Sequence, residues 1–256
     1  MSDNFAIYPS LKDKVVFISG GGSGIGASIV EHFCAQGAKV GFVDIAADAS
    51  RKLVADIAAA GHPAPKFYAC DITDTAAYQA VIKDFMAEAG PITGLVNNAA
   101  HDERHSIEEM TPEYWDQRIA VNIKHQFFAV QACYKEMAAA GGGSIVNMGS
   151  VSWMVGQGGM PAYTASKSGV VGLTRGLARD LGPMKIRVNS VVPGWTMTQR
   201  QIDLWLTKES EADLMRNQAL KEKVYPDDIA RMVLFMVADD SRHCSNQNYI
   251  VDGGWC

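Results

Sequence analysis

The sequence predicts an α/β fold of the doubly wound kind, a parallel sheet of about seven strands flanked by helices on both faces. Two patterns predict it. Short apolar runs alternate with helical-period stretches along the whole chain, and the runs are apolar at successive positions, as strands covered on both faces must be. Lys14–Ser19 is the first such run, and Gly24–Gln36 after it carries helical periodicity. The alternation continues with Lys39–Asp44, then the helical Asp48–Ala60, the strand Lys66–Cys70 and the helical Thr75–Ala89. Gly94–Asn97 precedes a long helix, Pro112–Ala140, and Ser144–Met148 precedes another, Pro161–Leu181. The series closes with the strand Ile186–Val192, the helix Pro226–Ala238 and the strand Asn248–Val251. Trp195–Lys223 has no strand partner and a mixed character, which suits a lid over a site (195–223) within a single domain (1–256).

Composition excludes several classes. With 256 residues, 48% of them hydrophobic and 20% charged, the chain can build a sizeable core and is too apolar for disorder. A formal charge of -5 without a basic tract argues against nucleic acid as a partner. No apolar run approaches the roughly 18 residues of a membrane span, and Met1–Ser10 lacks a signal peptide's basic start, so a cytoplasmic protein without a membrane partner is expected. Cys34, Cys70, Cys133, Cys244 and Cys256 are scattered, with no CxxC pair, as reduced thiols would be. The 24 glycines cluster, notably at 20–26, 156–159 and 253–254, which marks special backbone positions.

After the first strand, Ser19-Gly-Gly-Gly-Ser-Gly-Ile-Gly26 runs into a helix. Gly20, Gly24 and Gly26 have GxxxGxG spacing, with Gly22, Ser23 and Ile25 between them. Such a turn lets the backbone approach a pyrophosphate and offers it unpaired N–H groups at a positive helix end, the Rossmann-type arrangement. The second strand ends at Asp44, whose carboxylate suits the hydroxyls of an adenosine ribose. Neither the turn nor Ile45 and Ala46 offers a cation to a 2′-phosphate, so NAD is expected over NADP.

Tyr163-Thr-Ala-Ser-Lys167 puts a phenol and an ammonium on one helix face. Ser150 follows the fifth strand at the carboxyl edge of the sheet, where open α/β folds bind ligands. With Asn97-Asn98-Ala99-Ala100, Asn122, Pro193-Gly194 and Asp252-Gly253-Gly254, these motifs resemble, in order and over essentially the whole length, the short-chain dehydrogenase/reductase family. Ser19 stands where that family usually has Thr, and Ala100 where it has Gly. The resemblance implies a catalytic tetrad of Asn122, Ser150, Tyr163 and Lys167, with Tyr163 as general base in oxidation. Ser150 would bond the reacting oxygen, Lys167 the nicotinamide ribose, and Asn122 a water leading from Lys167 to solvent. A free phenol titrates near 10, and Lys167 is expected to bring Tyr163 below that. The resemblance also assigns Asp71 and Ile72 to the adenine, Asn98 to the ribose side, and Pro193 and Thr196 to the carboxamide end.

For the substrate, the polar His101-Asp-Glu-Arg-His-Ser106 segment and the aromatic and amide residues Trp153, Gln157, Trp195, Gln201 and Trp205 suit a polyhydroxylated small molecule better than a lipid. His101 and His105 lack a third ligand, so no metal is expected. Ile7–Lys12, Asp102–His105, Tyr114-Trp115-Asp116 with Arg118, Ser152-Trp153 and Gly254-Trp255 look like the bacterial aldose 1-dehydrogenases of the family. That implies oxidation at the anomeric hydroxyl to an aldonolactone, with Asp102, Arg104, Trp153 and Gln157 binding the other hydroxyls. The alternatives are a polyol or secondary-alcohol dehydrogenase, a 3-oxoacyl reductase, and a dinucleotide sensor without activity. The family also implies a homotetramer built on the two long helices.

Overall fold

The computed structural model describes residues 5–256, so the part of the leader reading that rests on Met1–Asn4 lies outside the described residues. Strands β1 (Val15–Ser19), β2 (Lys39–Asp44), β3 (Lys66–Ala69), β4 (Gly94–Asn97), β5 (Gly143–Met148), β6 (Ile186–Pro193) and β7 (Asn248–Val251) form one parallel sheet. Its order is β3-β2-β1-β4-β5-β6-β7. Chain order reverses between β1 and β4, and a crevice opens there at the carboxyl ends of the strands.

Covering both faces divides the core in two, and β1 shows how. Val16 and Ile18 point to one side, where they meet Ile29 and Phe33 of α1 (Gly24–Ala35) and Val233 and Val237 of α9 (Pro226–Val237). Val15 and Phe17 point to the other, against Tyr78 and Phe85 of α3 (Thr75–Ala89) and a cluster containing Cys133 of α5 (His125–Ala139) and Leu177 of α6 (Pro161–Leu181). Alternation by two along a fully buried strand therefore feeds two helix layers at once. Burying a side chain such as Phe17 is worth about 1.5–3 kcal/mol.

Two elements depart from the sequence reading. Pro112–Ala140 is interrupted: α4 (Pro112–Ile119) passes through a π turn at Ala120–Lys124 into α5. Trp195–Lys223 contains two helices, α7 (Gln199–Trp205) and α8 (Lys208–Asn217), each opened by a threonine side chain that accepts a first-turn N–H, Thr198 from Gln201 and Thr207 from Ser210. The ends of this excursion meet, since Thr196 pairs with Val224 and Met197 N–H donates to Val224 O at 2.8 Å. Helix α2 (Ala47–Ala59) completes the described helices. Among the described residues, no helix is long and apolar enough to cross a membrane.

Candidate active site

The glycine turn is held to its neighbours on both sides. Gly20 N–H donates to Val43 O at 2.8 Å, and the Asn98 side chain donates to Ser19 O and Gly20 O at 3.1 and 2.9 Å. The Ser19 hydroxyl accepts from Asn98 N–H and Ala99 N–H, each at 3.1 Å, so the hydroxyl that replaces the family's Thr still ties β1 to β4. A Cβ on Gly26 would lie 1.8 Å from Gly20 O, so helix α1 can start this close to the strand only with glycine there. Ser23 stands at the N-cap without bonding the first turn through its side chain. The opening N–H groups of α1, around Gly24 and Ile25, are thus left for an anion, which is what a pyrophosphate seat needs.

Asp44 is locked by two backbone donors, Gly22 N–H and Ala46 N–H, each at 2.8 Å. Past β3, Asp71 accepts from the Thr73 backbone and hydroxyl at 2.9 and 2.8 Å, while Ile72 is buried. Gly20–Gly26, Asp44, Asp71 and Ile72 follow β1, β2 and β3 in that order along one sheet edge. The residues present therefore fit an extended dinucleotide.

Beside them lies a cleft of about 690 Å³ whose walls include Ile25, Asn98, Ser150, Tyr163, Lys167, Pro193 and Thr196. Ser150 caps the short turn after β5, its hydroxyl accepting from Ser152 N–H at 3.2 Å. Tyr163 and Lys167 sit one turn apart on α6, with Lys167 Nζ 5.6 Å from the phenol ring centroid. Lys167 is 1% exposed and donates to Met148 O at 2.8 Å. Burial lowers it from 10.5 to about 7, Asp102 opposing. Burial also pushes the Tyr163 phenol from 10 up to about 12; the Ser150 hydroxyl and Arg104 offset part of this, and Asp102 adds to it. The phenol is thus raised, not lowered as the sequence suggested, because the cost of desolvating its charged form outweighs what Ser150 and Arg104 offset.

Asn122 occupies the π turn, and its side chain is spent on the chain itself: it accepts from His101 N–H at 2.9 Å and donates to His101 O and Arg118 O at 3.2 and 2.9 Å. It ties the loop after β4 to the helix. His125, which the sequence reading passed over, is a second brace. Its Nε2 donates to Ala99 O at 3.0 Å, and burial with the Lys167 charge lowers it to about 3, so the ring is neutral.

Of the four residues expected at the sugar, Asp102, Arg104 and Gln157 line the cleft. Trp153 is absent from its walls and 36% exposed, because the short turn after Ser150 carries the indole outward. Gln157, its amide oxygen turned to Arg104, accepts from both terminal guanidinium nitrogens at 3.0 and 3.1 Å. Arg104 also lies over the Trp205 ring, 5.0 Å from its centroid. His101 and His105 do not converge: His101 Nδ1 faces Arg118 at 2.6 Å, and His105 Nδ1 meets Glu103 O at 3.2 Å. Arg118, 6% exposed and 3.2 Å from Glu103, braces this loop from α4.

Fold, glycine turn and the Ser150, Tyr163 and Lys167 cleft define a dinucleotide-dependent oxidoreductase, and comparison with known proteins agrees. Residues 20–256 match the family described as Enoyl-(Acyl carrier protein) reductase. The chain is 46% identical over 98% of its length, and of the relative's, to D-xylose 1-dehydrogenase of Caulobacter vibrioides. It is 44% identical, over 96% of each, to the Rhizobium meliloti protein named "Probable galactose dehydrogenase GalD". A blue fluorescent protein from a metagenomic library, solved with NADPH, superposes with a TM-score of 0.87 at 33% identity, covering 96% of this chain and 99% of that one. The chain belongs to the short-chain dehydrogenase/reductase family. It is an oxidoreductase of a family that works with nicotinamide dinucleotides.

Proposed function

We propose that the chain oxidises an aldose at its anomeric hydroxyl to an aldonolactone, with NAD as cofactor and Tyr163 as general base. The observation that carries this reading is one cleft that joins Ser150, Tyr163 and Lys167 to a wall of Asp102, Arg104, Gln157 and Gln201. The four polar or charged side chains of that wall offer bonds to several hydroxyls, between apolar residues that include Val155, Met160, Trp195 and Trp205. The names of the two sugar-dehydrogenase relatives support it.

In this reading Ser150 holds the anomeric oxygen and Tyr163 removes its proton as the C=O bond forms. Lys167, held by Met148 O, stands beside the phenol, where its amine can relay that proton away and restore the phenolate. A bound oxidised nicotinamide dinucleotide would supply the hydride acceptor for the anomeric hydrogen and a positive charge that favours the phenolate. Gly20, Gly22, Ser23, Gly24, Ile25 and Gly26 would hold its pyrophosphate, Asp44 the adenosine ribose, Asp71 and Ile72 the adenine, and Asn98, Pro193 and Thr196 the nicotinamide half. Asp44 favours NAD although a solved relative binds NADPH, because its carboxylate repels a 2′-phosphate.

Residues 195–223 act as a lid on a single catalytic domain, Asn122 secures the loop beneath it, and the active form is a cytoplasmic homotetramer. The test is a panel of pentoses and hexoses with NAD and with NADP, read by absorbance of the reduced nicotinamide. Turnover of at least one aldose, faster with NAD, is the expected result. Oxidation of acyclic polyols and of no aldose would replace this reading with a polyol dehydrogenase.

A further inference from the structure

Gln201 of α7 reaches 99 residues back along the chain, and both ends of its amide are fixed. Nε2 donates to Asp102 Oδ2 at 2.7 Å, and Oε1 accepts from the Trp195 indole N–H at 2.9 Å. An indole is a donor only, so the amide oxygen must face Trp195 and the nitrogen must face Asp102. Each partner keeps capacity to spare. Among the described residues, the second Nε2 hydrogen of Gln201 has no acceptor. The Asp102 carboxylate, with about four acceptor positions, meets Gln201 and, at 3.4 Å, Arg200 Nε. Asp102, Gln201 and Trp195 line the same cleft as Ser150 and Tyr163, whereas Arg200 does not.

The cleft therefore presents a carboxylate acceptor and an oriented donor side by side. Two adjacent hydroxyls match that pair, one donating to Asp102 and the other accepting from Gln201. We infer that Asp102 and Gln201 form a clamp for a vicinal diol of the substrate, making Gln201 a specificity-determining residue. The clamp spans the loop after β4 and helix α7, so holding the diol also holds the Trp195–Lys223 excursion over the cleft. Arg104 on the Trp205 ring gives the same two segments a second contact. The inference rests on the aldose reading and adds to it the feature of the sugar that is recognised away from the anomeric carbon.

A site built to bond a hydroxyl discriminates strongly against an analogue lacking it, because its polar groups are left unpaired. The experiment measures kcat/KM of wild type, Gln201→Leu, Asp102→Asn and the double variant on the best aldose and on its monodeoxy analogues, with NADH affinity as a check on folding. Wild type should prefer the parent sugar to one such analogue by about 10- to 100-fold. Gln201→Leu should lower kcat/KM for the parent about tenfold or more, and change that for the analogue less than about threefold. The double variant should be little worse than either single one, as for residues acting as a unit. Equal losses on parent and analogue, or an unchanged parent, with NADH affinity intact, would overturn the clamp. A wild type that oxidises polyols and no aldose overturns the aldose reading instead. The same variants then judge the clamp on a vicinal diol against its monohydroxy counterpart, where equal losses overturn it.

Discussion

Lys167 is buried on α6 and Tyr163 partly so, and burial works against both charged forms. The pair therefore sacrifices stability for function, which can be measured at Lys167. Its folded value, about 7, lies below the 10.5 of the exposed amine. Below pH 7 both states are protonated and the folded state carries the whole penalty of a buried charge. Between 7 and 10.5 the folded amine is already neutral while the unfolded one still binds its proton, so the penalty fades as pH rises. Lys167→Met should raise Tm by several degrees at pH 6, with a gain that shrinks steadily toward pH 10, as thermal unfolding across pH will show. A gain independent of pH would mean that packing, not charge, limits the site. Tyr163→Phe should keep NADH affinity and lower kcat about 10²- to 10⁴-fold, the usual contribution of a general base. At Asp44, two backbone N–H bonds hold a carboxylate where the ribose is expected. Asp44→Ala should shrink the NAD to NADP ratio of kcat/KM by about tenfold or more; an unchanged ratio would move cofactor choice elsewhere.

Helices α7 and α8 are the elements on which the sequence spoke least. None of the α7 residues is buried, and of the α8 residues only Leu214 is, so neither helix carries the apolar stripe that marks α1 or α9. Their threonine caps are the local signal that could have found them. The π turn at Ala120–Lys124 was illegible for another reason: one extra residue in a turn leaves the helical period intact on either side. Tyr163, Lys167 and the glycine turn could be read because each is a short motif within one element. Gln201 on Asp102, Arg118 on Glu103 and His125 on Ala99 could not, because their partners are distant in sequence and meet only through the sheet. The end of the excursion is seated on the C-terminal turn, where Ala219 and Leu220 N–H donate to Gly254 O and Gly253 O at 3.1 and 2.8 Å. Gly253 has φ +69°, and a Cβ there would lie 2.4 Å from the Gln218 amide nitrogen. Gly253→Ala should therefore loosen residues 199–220, raising KM for the sugar several-fold while NADH affinity holds, with faster proteolysis within that segment as the independent measure.

At the scale of the molecule, the seven-stranded parallel sheet and its two helix layers follow from features legible at once, apolar strands alternating with helices. The outward face of α6 carries Ala165, Ser168, Gly172 and Gly176, small residues that would let a second copy approach closely. Sedimentation at micromolar concentration should give a tetramer, and Gly172→Arg should give a lighter species, since no atom within 4 Å of a Cβ there would stop the variant folding. Sedimentation of the parent as a monomer would refute the assembly. The pairing of Thr196 with Val224 carries a consequence for how such a protein can diverge. The excursion begins and ends at adjacent points, between β6 and α9, so the segment between is a cassette. Changing its length costs little, since closure entropy grows only slowly with loop size. Exchanging residues 197–223 for those of a relative with another sugar should transplant part of the sugar preference, while the choice of dinucleotide stays behind with the sheet.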